Sequence, residues 1–331
     1  VSAAEAFLPE GAIFMLGSHR IHCIIASVAV PERVLVLNSM PPVSFAPYSP
    51  IVARPPSRWP GGKGLALYVA LGIEEYRPDD GLTEDIIPGA SKPDLVNRSW
   101  RDYGNRVGGF RLIDRLASFG IAPAILLNTD VYDTAPALIT HARAAGAEMV
   151  GHGRSNSDTL AVLSSADENA YVQSVRDRIA AMEGVPPGGW SSPWLAHSPT
   201  TLRSLALAGY GYVLDFRLDD QPVMLDSGAG PILAIPYGLE INDSTTAIGR
   251  YAAARDFAGM IIDEFDELLA ASREQALVMS IVVHSFVSGQ PFRLRSLTQA
   301  LDHIAKFADQ VWFTQPRHIA AAVAADPALR A

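Results

Sequence analysis

The clearest pattern in the chain is an apolar run, Leu65-Ala66-Leu67-Tyr68-Val69-Ala70-Leu71-Gly72-Ile73, that drives straight into two adjacent carboxylates, Glu74 and Glu75. The run is apolar on both faces and too short for a long helix, which predicts a buried strand of a parallel sheet covered by helices. In such folds chemistry gathers at the C-terminal ends of the strands, where the two glutamates stand. Helical spacing follows in Phe110, Leu112, Ile113, Leu116 and Phe119, closed by Gly120, and then a strand, Ala124-Ile125-Leu126-Leu127. The same alternation continues with a helix over 135–145, a strand over 148–150, helices over 167–182 and 199–208, and strands over 212–215 and 232–235. A helix over 252–271, the apolar run Leu277–Val283, a strand over 311–313 and a helix over 316–324 complete it.

Seven or eight strands alternating with helices, with no shift of composition between them, predict a single (β/α) barrel over residues 46–331. Residues 1–45 have no clear period, end in Pro41-Pro42, and are expected to form an N-terminal extension. The stretch from Arg77 to Asn97 is broken by Asp79-Asp80-Gly81 and Pro88-Gly89 and reads as a long functional loop. Glu74, Asp130, His152, Trp190, Asp215, Tyr237 and His284 each follow a proposed strand, so on a barrel they share one face.

Composition narrows the chemistry. The 331 residues carry 35 acidic against 26 basic side chains, net charge −9, which argues against nucleic acid or an anionic membrane as the partner and leaves a small-molecule substrate. The single cysteine, Cys23, cannot form an internal disulfide, and no basic stretch precedes the short apolar segments near the start, so a cytoplasmic protein without a membrane span is expected. Phosphate loops, zincin helices and nucleophile elbows are absent from the sequence. Carboxylates, histidines and aromatics remain, a set suited to activating water against a carbonyl carbon. His284 is delivered by seven apolar residues to a strand end, where an imidazole acts as acid or base. Trp190, Trp194, Tyr237 and Phe292 are candidate pocket walls, and Arg106 and Arg293 candidate donors to a substrate carbonyl or ureido group.

The order of motifs resembles the polysaccharide deacetylase (NodB-type) superfamily, in particular its allantoinase-like branch, which cleaves non-peptide C–N bonds. The resemblance spans residues 48–319. It rests on Ile73-Glu74-Glu75, Arg101 to Gly108, Gly151-His152-Gly153, Gly189-Trp190 with Pro193-Trp194, Tyr212 to Asp215, Pro236-Tyr237 with Asn242-Asp243, and His284-Ser285 with Gly289 to Arg293. It implies a distorted (β/α) barrel of about seven strands, a homo-oligomer, and a catalytic set of Glu74, Glu75, His152, His284 and Asp215, with Asp215 the foremost of Asp215, Asp219 and Asp220 for orienting the histidine. Metal-dependent sugar deacetylases of the superfamily carry an Asp-Asp pair and two histidines four residues apart. Here the pair is Glu74-Glu75, and Asn156 stands four residues after His152. Glu75, His152 and Asn156 make a poor zinc set, so no cofactor is expected, zinc or another divalent ion being the alternative. The expected activity is hydrolysis of an amide in a small ureide, cyclic imide or related compound. Metal-dependent sugar deacetylation and a catalytically inactive binding relative are the rivals.

Overall fold

The computed structural model describes residues 46–331; the expected extension over residues 1–45 lies outside the described residues. Nine strands form one sheet: β1 (Leu65–Ile73), β2 (Ala124–Leu127), β3 (Glu148–Gly151), β4 (Gly189–Trp190), β5 (Tyr212–Val213), β6 (Val223–Asp226), β7 (Pro231–Ala234), β8 (Leu277–His284) and β9 (Val311–Phe313). Their order is β6-β7-β5-β4-β3-β2-β1-β8, with β9 also on β1. All pairings are parallel except β6 with β7. The sheet curls into an incomplete barrel. Where β8 meets the other end of the row, the chain after β7 supplies an isolated parallel bridge, Asn242 to Val282, instead of a ladder.

β1 is the axis of this arrangement and all nine of its residues are buried. One edge pairs with β8 from Leu65 to Gly72, while the other is shared, Leu65–Leu67 with β9 and Ala70–Ile73 with β2. A strand with neighbours on both edges and helices or barrel interior on both faces has no use for polar side chains, which explains the unbroken apolar run. The covering helices include Gly109–Ala117, Pro136–Ala144, Ser165–Glu183, Ala254–Ala271 and Pro291–Ala305. Among the described residues no helix is long and apolar enough to cross a membrane.

Four elements escape the sequence pattern. The helix Leu95–Tyr103 falls partly in the stretch read as loop; Asp94 caps it by accepting from the Asn97 N–H at 3.0 Å. Helix Pro291–Ala305 starts with proline at its first turn, a legible signal. β4 has two residues, too few to show a period, and β6 is one arm of an edge hairpin whose partner is β7.

The N-terminal ends of the strands form a floor. Tyr212 lies flat over Gly189, its hydroxyl on the buried Glu148 carboxyl, and the Arg317 N–H donates to the other Glu148 oxygen at 3.1 Å. Any Cβ at position 189 would come within 1.9 Å of the Tyr212 ring. Gly189→Ala is therefore expected to destabilise the fold by about 1–3 kcal/mol, the usual cost of overpacking a core, read as a lower urea midpoint with unchanged slope.

Candidate active site

Register brings the site together. Ile73 of β1 pairs with Leu127, Leu127 with Gly151, and Gly151 with Trp190, so the residues that follow, Glu74, Asn128, His152 and Ser191, stand in one layer at the C-terminal mouth. On the other side of β1, Gly72 pairs with His284, the last residue of β8. Gly72 has no side chain because there is no room for one: a Cβ would sit 2.7 Å from the His284 Cδ2 and 3.1 Å from the Glu74 Oε1.

Glu74 is the centre of the layer and is 4% exposed. Its Oε2 accepts a hydrogen bond from the Tyr76 hydroxyl at 2.7 Å. Its Oε1 faces two imidazole nitrogens, His284 Nε2 at 3.4 Å and His152 Nε2 at 3.5 Å, and has no hydrogen-bond partner. The His152 Nδ1 lies 2.8 Å from the Ser191 carbonyl, which only accepts, so Nδ1 carries a proton and, in that tautomer of the imidazole, the Nε2 lone pair turns toward Glu74. Two acceptors that face each other across a small gap are matched by a molecule with two protons to give, and water is the smallest.

His284 is oriented by Asp243. One carboxylate oxygen of Asp243 meets the His284 Nδ1 at 2.6 Å, and the other accepts the backbone N–H of His284 at 2.9 Å and of Ser288 at 3.1 Å. Burial alone would favour the neutral imidazole, but the charges of Glu74 and Asp243 outweigh it and push the group up to about 10. The converse holds for Glu74: burial would raise it, yet the His284 charge and the hydrogen bond from Tyr76 hold its carboxyl below the usual range. The resting pair is a carboxylate beside an imidazolium, a base next to an acid.

Glu75 is not part of this cluster. Neighbouring residues leaving a strand point to opposite sides, and the Glu75 carboxylate accepts from the Thr134 hydroxyl at 2.6 Å on the rim, while its backbone carbonyl accepts from the Asn156 N–H at 2.8 Å. The expectation that Asp215 orients His284 is also corrected. Asp215 accepts from the Ser192 N–H and from His197 Nε2, both at 2.8 Å, and Asp243 has the orienting place. Burial would push His197 down, but its bond to Asp215 and the carboxylate charge outweigh that and raise it. Trp190 is not a pocket wall: it is fully buried, packs edge-on against Tyr210 and donates its indole N–H to the Ser192 hydroxyl at 3.0 Å. Tyr237 is buried inside the barrel, with Glu74 and Asp243 near enough to raise its hydroxyl further after burial has done so. Arg106 is exposed. Arg293 is half-buried, with Nη1 unpartnered and its guanidinium over the Phe292 ring at 5.2 Å; burial lowers its affinity for a proton.

Three groups had no role assigned from the sequence, Asp243 among them although it lies in the Asn242-Asp243 motif. Tyr76 holds Glu74 and receives the Asn156 side-chain N–H at 3.1 Å. Asp243 holds His284. Glu84, from the long loop, accepts from the Ser244 hydroxyl at 2.6 Å next to Asp243, and burial raises its carboxyl against the opposing charge of His284. Trp194 and Leu195 are adjacent non-glycine residues with φ of 60° and 52°, a conformation that costs about 1–3 kcal/mol per residue and gathers at functional sites. The indole N–H of Trp194 donates to the Asn156 carbonyl at 2.6 Å.

PuuE allantoinase, in its crystal structure, superposes with a TM-score of 0.77 at 26% identity, over 86% of this chain and 98% of that one. A Schizosaccharomyces pombe protein described as a candidate polysaccharide deacetylase is 23% identical over 280 residues, 79% of this chain and 86% of its own. The chain is thus similar to an allantoinase and to a protein described as a polysaccharide deacetylase. A candidate polysaccharide deacetylase from Pseudomonas aeruginosa has the same fold, TM-score 0.73 at 24% identity over 81% of this chain and 93% of that one. No family model matches the chain.

The metal set implied by the resemblance, Glu75, His152 and Asn156, is not assembled. Glu75 is turned to Thr134, and Asn156 contributes a neutral amide whose nitrogen is on Tyr76. Among the described residues no group of three or more His, Cys, Asp or Glu is placed to hold a metal ion. Glu75, His152 and Asn156 do not make a zinc set, which takes three or four thiolate, imidazole or carboxylate ligands. His284 is instead expected to keep its proton until the pH nears about 10. Asp243→Asn removes one of the two charges that raise it, so its NMR titration should then fall to lower pH; an unmoved titration would deny Asp243 this role.

Proposed function

We propose that the protein hydrolyses the amide C–N bond of a small ureide, cyclic imide or related amide, without a resident metal. The observation that carries this is Glu74 Oε1, buried, unpartnered, and faced by two imidazole nitrogens at 3.4 and 3.5 Å. A water lying against Glu74 Oε1 and His152 Nε2 gives one proton to Glu74 as its oxygen attacks the carbonyl carbon, while His152, fixed by the Ser191 carbonyl, accepts the second hydrogen bond and aims the lone pair. The C=O electrons move to oxygen, and the tetrahedral oxyanion forms beside the His284 imidazolium, which stabilises it. As the C–N bond breaks, His284 gives its proton to the leaving nitrogen, and Asp243 keeps the ring aligned. The products are a carboxylic or carbamic acid and the freed nitrogen as an amine, amide or urea, both in one molecule when a ring is opened; one water is consumed, and transfer of the proton from Glu74 to His284 restores the resting pair.

Two features favour a small amide over an acetylated polymer. Glu74, His152 and His284 are each less than 9% exposed, which suits a compact substrate. Glu75, His152 and Asn156 together lack the strong donors a Lewis-acid route needs, so base and acid on the protein supply the activation. The likeness to an allantoinase at 26% identity agrees with C–N hydrolysis.

Glu74→Gln keeps the shape but not the base and should lower kcat by about 10²–10⁴ on whichever ureide, imide or amide of a panel is turned over. A wild-type protein inert to that whole panel would favour the binding relative. Because Glu74 is held low and His284 high, kcat/KM should be flat through neutrality, falling on the acid side as Glu74 protonates and on the alkaline side as His284 loses its proton near pH 10. Turnover should survive exhaustive chelation; activity abolished by chelator and restored by zinc would overturn the metal-free route.

A further inference from the structure

The segment between β4 and the helix Thr201–Ala208 touches the site at two points. Ser191 fixes His152 through its carbonyl, and Trp194 fixes Asn156 through its indole N–H. Asn156 in turn donates to the Tyr76 hydroxyl, which donates to Glu74 Oε2. Between these contacts lies the left-handed pair Trp194-Leu195, a conformation that side chains other than glycine hold only when their surroundings impose it. Backbone bonds close the turn, from the Leu195 N–H to the Ser192 carbonyl and from the Ala196 N–H to the Pro193 carbonyl, and one carboxylate ties its two ends. Asp215, with its side chain wholly buried, takes the Ser192 N–H on one oxygen, ahead of the pair, and His197 Nε2 on the other, behind it. The His197 ring also lies 5.1 Å from Phe216 and 3.4 Å, at Nε2, from the Ser192 hydroxyl.

We infer that His197 is a positioning residue for the site: with Asp215 it clamps both ends of the strained turn, and through Trp194, Asn156 and Tyr76 the clamp sets the Glu74 carboxylate. The kinetic part rests on the amide-hydrolysis reading; the structural part does not. Trp194 accordingly acts through its N–H on the catalytic arm, beyond any contact its partly exposed ring makes with substrate.

Trp194 emission, isolated by subtracting the spectrum of Trp194→Phe, tests the clamp without substrate. In folded His197→Ala the emission should move to the red and its acrylamide quenching should rise, while His197→Gln, which keeps an N–H for Asp215, should resemble wild type. On a turned-over amide, His197→Ala should lose about 10-fold or more in kcat with KM little changed, since small misplacements of a catalytic group act on the chemical step. Trp194→Phe, which keeps a ring and deletes the N–H, should show the same split, whereas a purely substrate-binding Trp194 would raise KM. Unchanged Trp194 emission in folded His197→Ala overturns the inference, as does wild-type kcat in Trp194→Phe. If no amide is turned over, the proposed function fails and the emission alone decides the clamp. His197→Leu, closer in volume, takes the place of the alanine variant should that not fold.

Discussion

A carboxylate buried at the mouth of a barrel needs a compensating charge, and the Glu74–His284 pair is the constraint on which the site depends. Neither group is stable alone there. Removing water from a charge costs several kcal/mol, and only the opposite charge together with satisfied hydrogen bonds offsets it. Each partner is accordingly supported from behind, Glu74 by Tyr76 and His284 by Asp243, whose second oxygen is spent on two backbone N–H groups. What is left open is one oxygen of Glu74. The arrangement keeps a base and an acid charged side by side, 3.4 Å apart, so that one polar molecule can lie against both.

The scaffold fixes this pair through backbone geometry. Parallel register makes Gly72, Glu74, His152 and His284 neighbours although up to 212 positions separate them in the chain, and the bare Gly72 lets the imidazole lie against β1. Asn128 ties adjacent strand ends together, accepting the Glu75 N–H at 2.9 Å and donating to the His152 carbonyl. The long loop after Tyr76 is pinned inward: Arg101 donates to the Glu84 carbonyl and to Asp85, and Asn97 exchanges two hydrogen bonds with Ile87. Glu84 thereby reaches Ser244, beside Asp243.

The departures from the sugar-deacetylase pattern form one coherent change. With asparagine in place of a second histidine, the amide nitrogen of residue 156 serves Tyr76, and the second acid, Glu75, is released to the rim. The layer has a cation of its own, the imidazolium of His284.

The sequence by itself determined the elements and the face. The apolar run of β1, the run that ends at His284, and the helix–strand alternation were legible because a strand buried on both faces tolerates almost nothing polar. That placed Glu74, His152 and His284 at strand ends. Tertiary structure decided which groups meet. Glu74 and Glu75 are indistinguishable by composition, and only the direction in which each leaves β1 separates base from rim. Asp243 rather than Asp215 orients His284 because the chain after β7 runs beside β8, at the bridge from Asn242 to Val282, a pairing with no local signature. Tyr76 and Glu84 lie in a stretch without periodicity, where the position of a side chain depends on long-range hydrogen bonds. Trp190 and Trp194 look alike as aromatics near a strand end, yet one is sealed in the core and the other is presented by a left-handed turn. Periodicity reports which side of an element is buried; it carries no information on which distant side chain waits there.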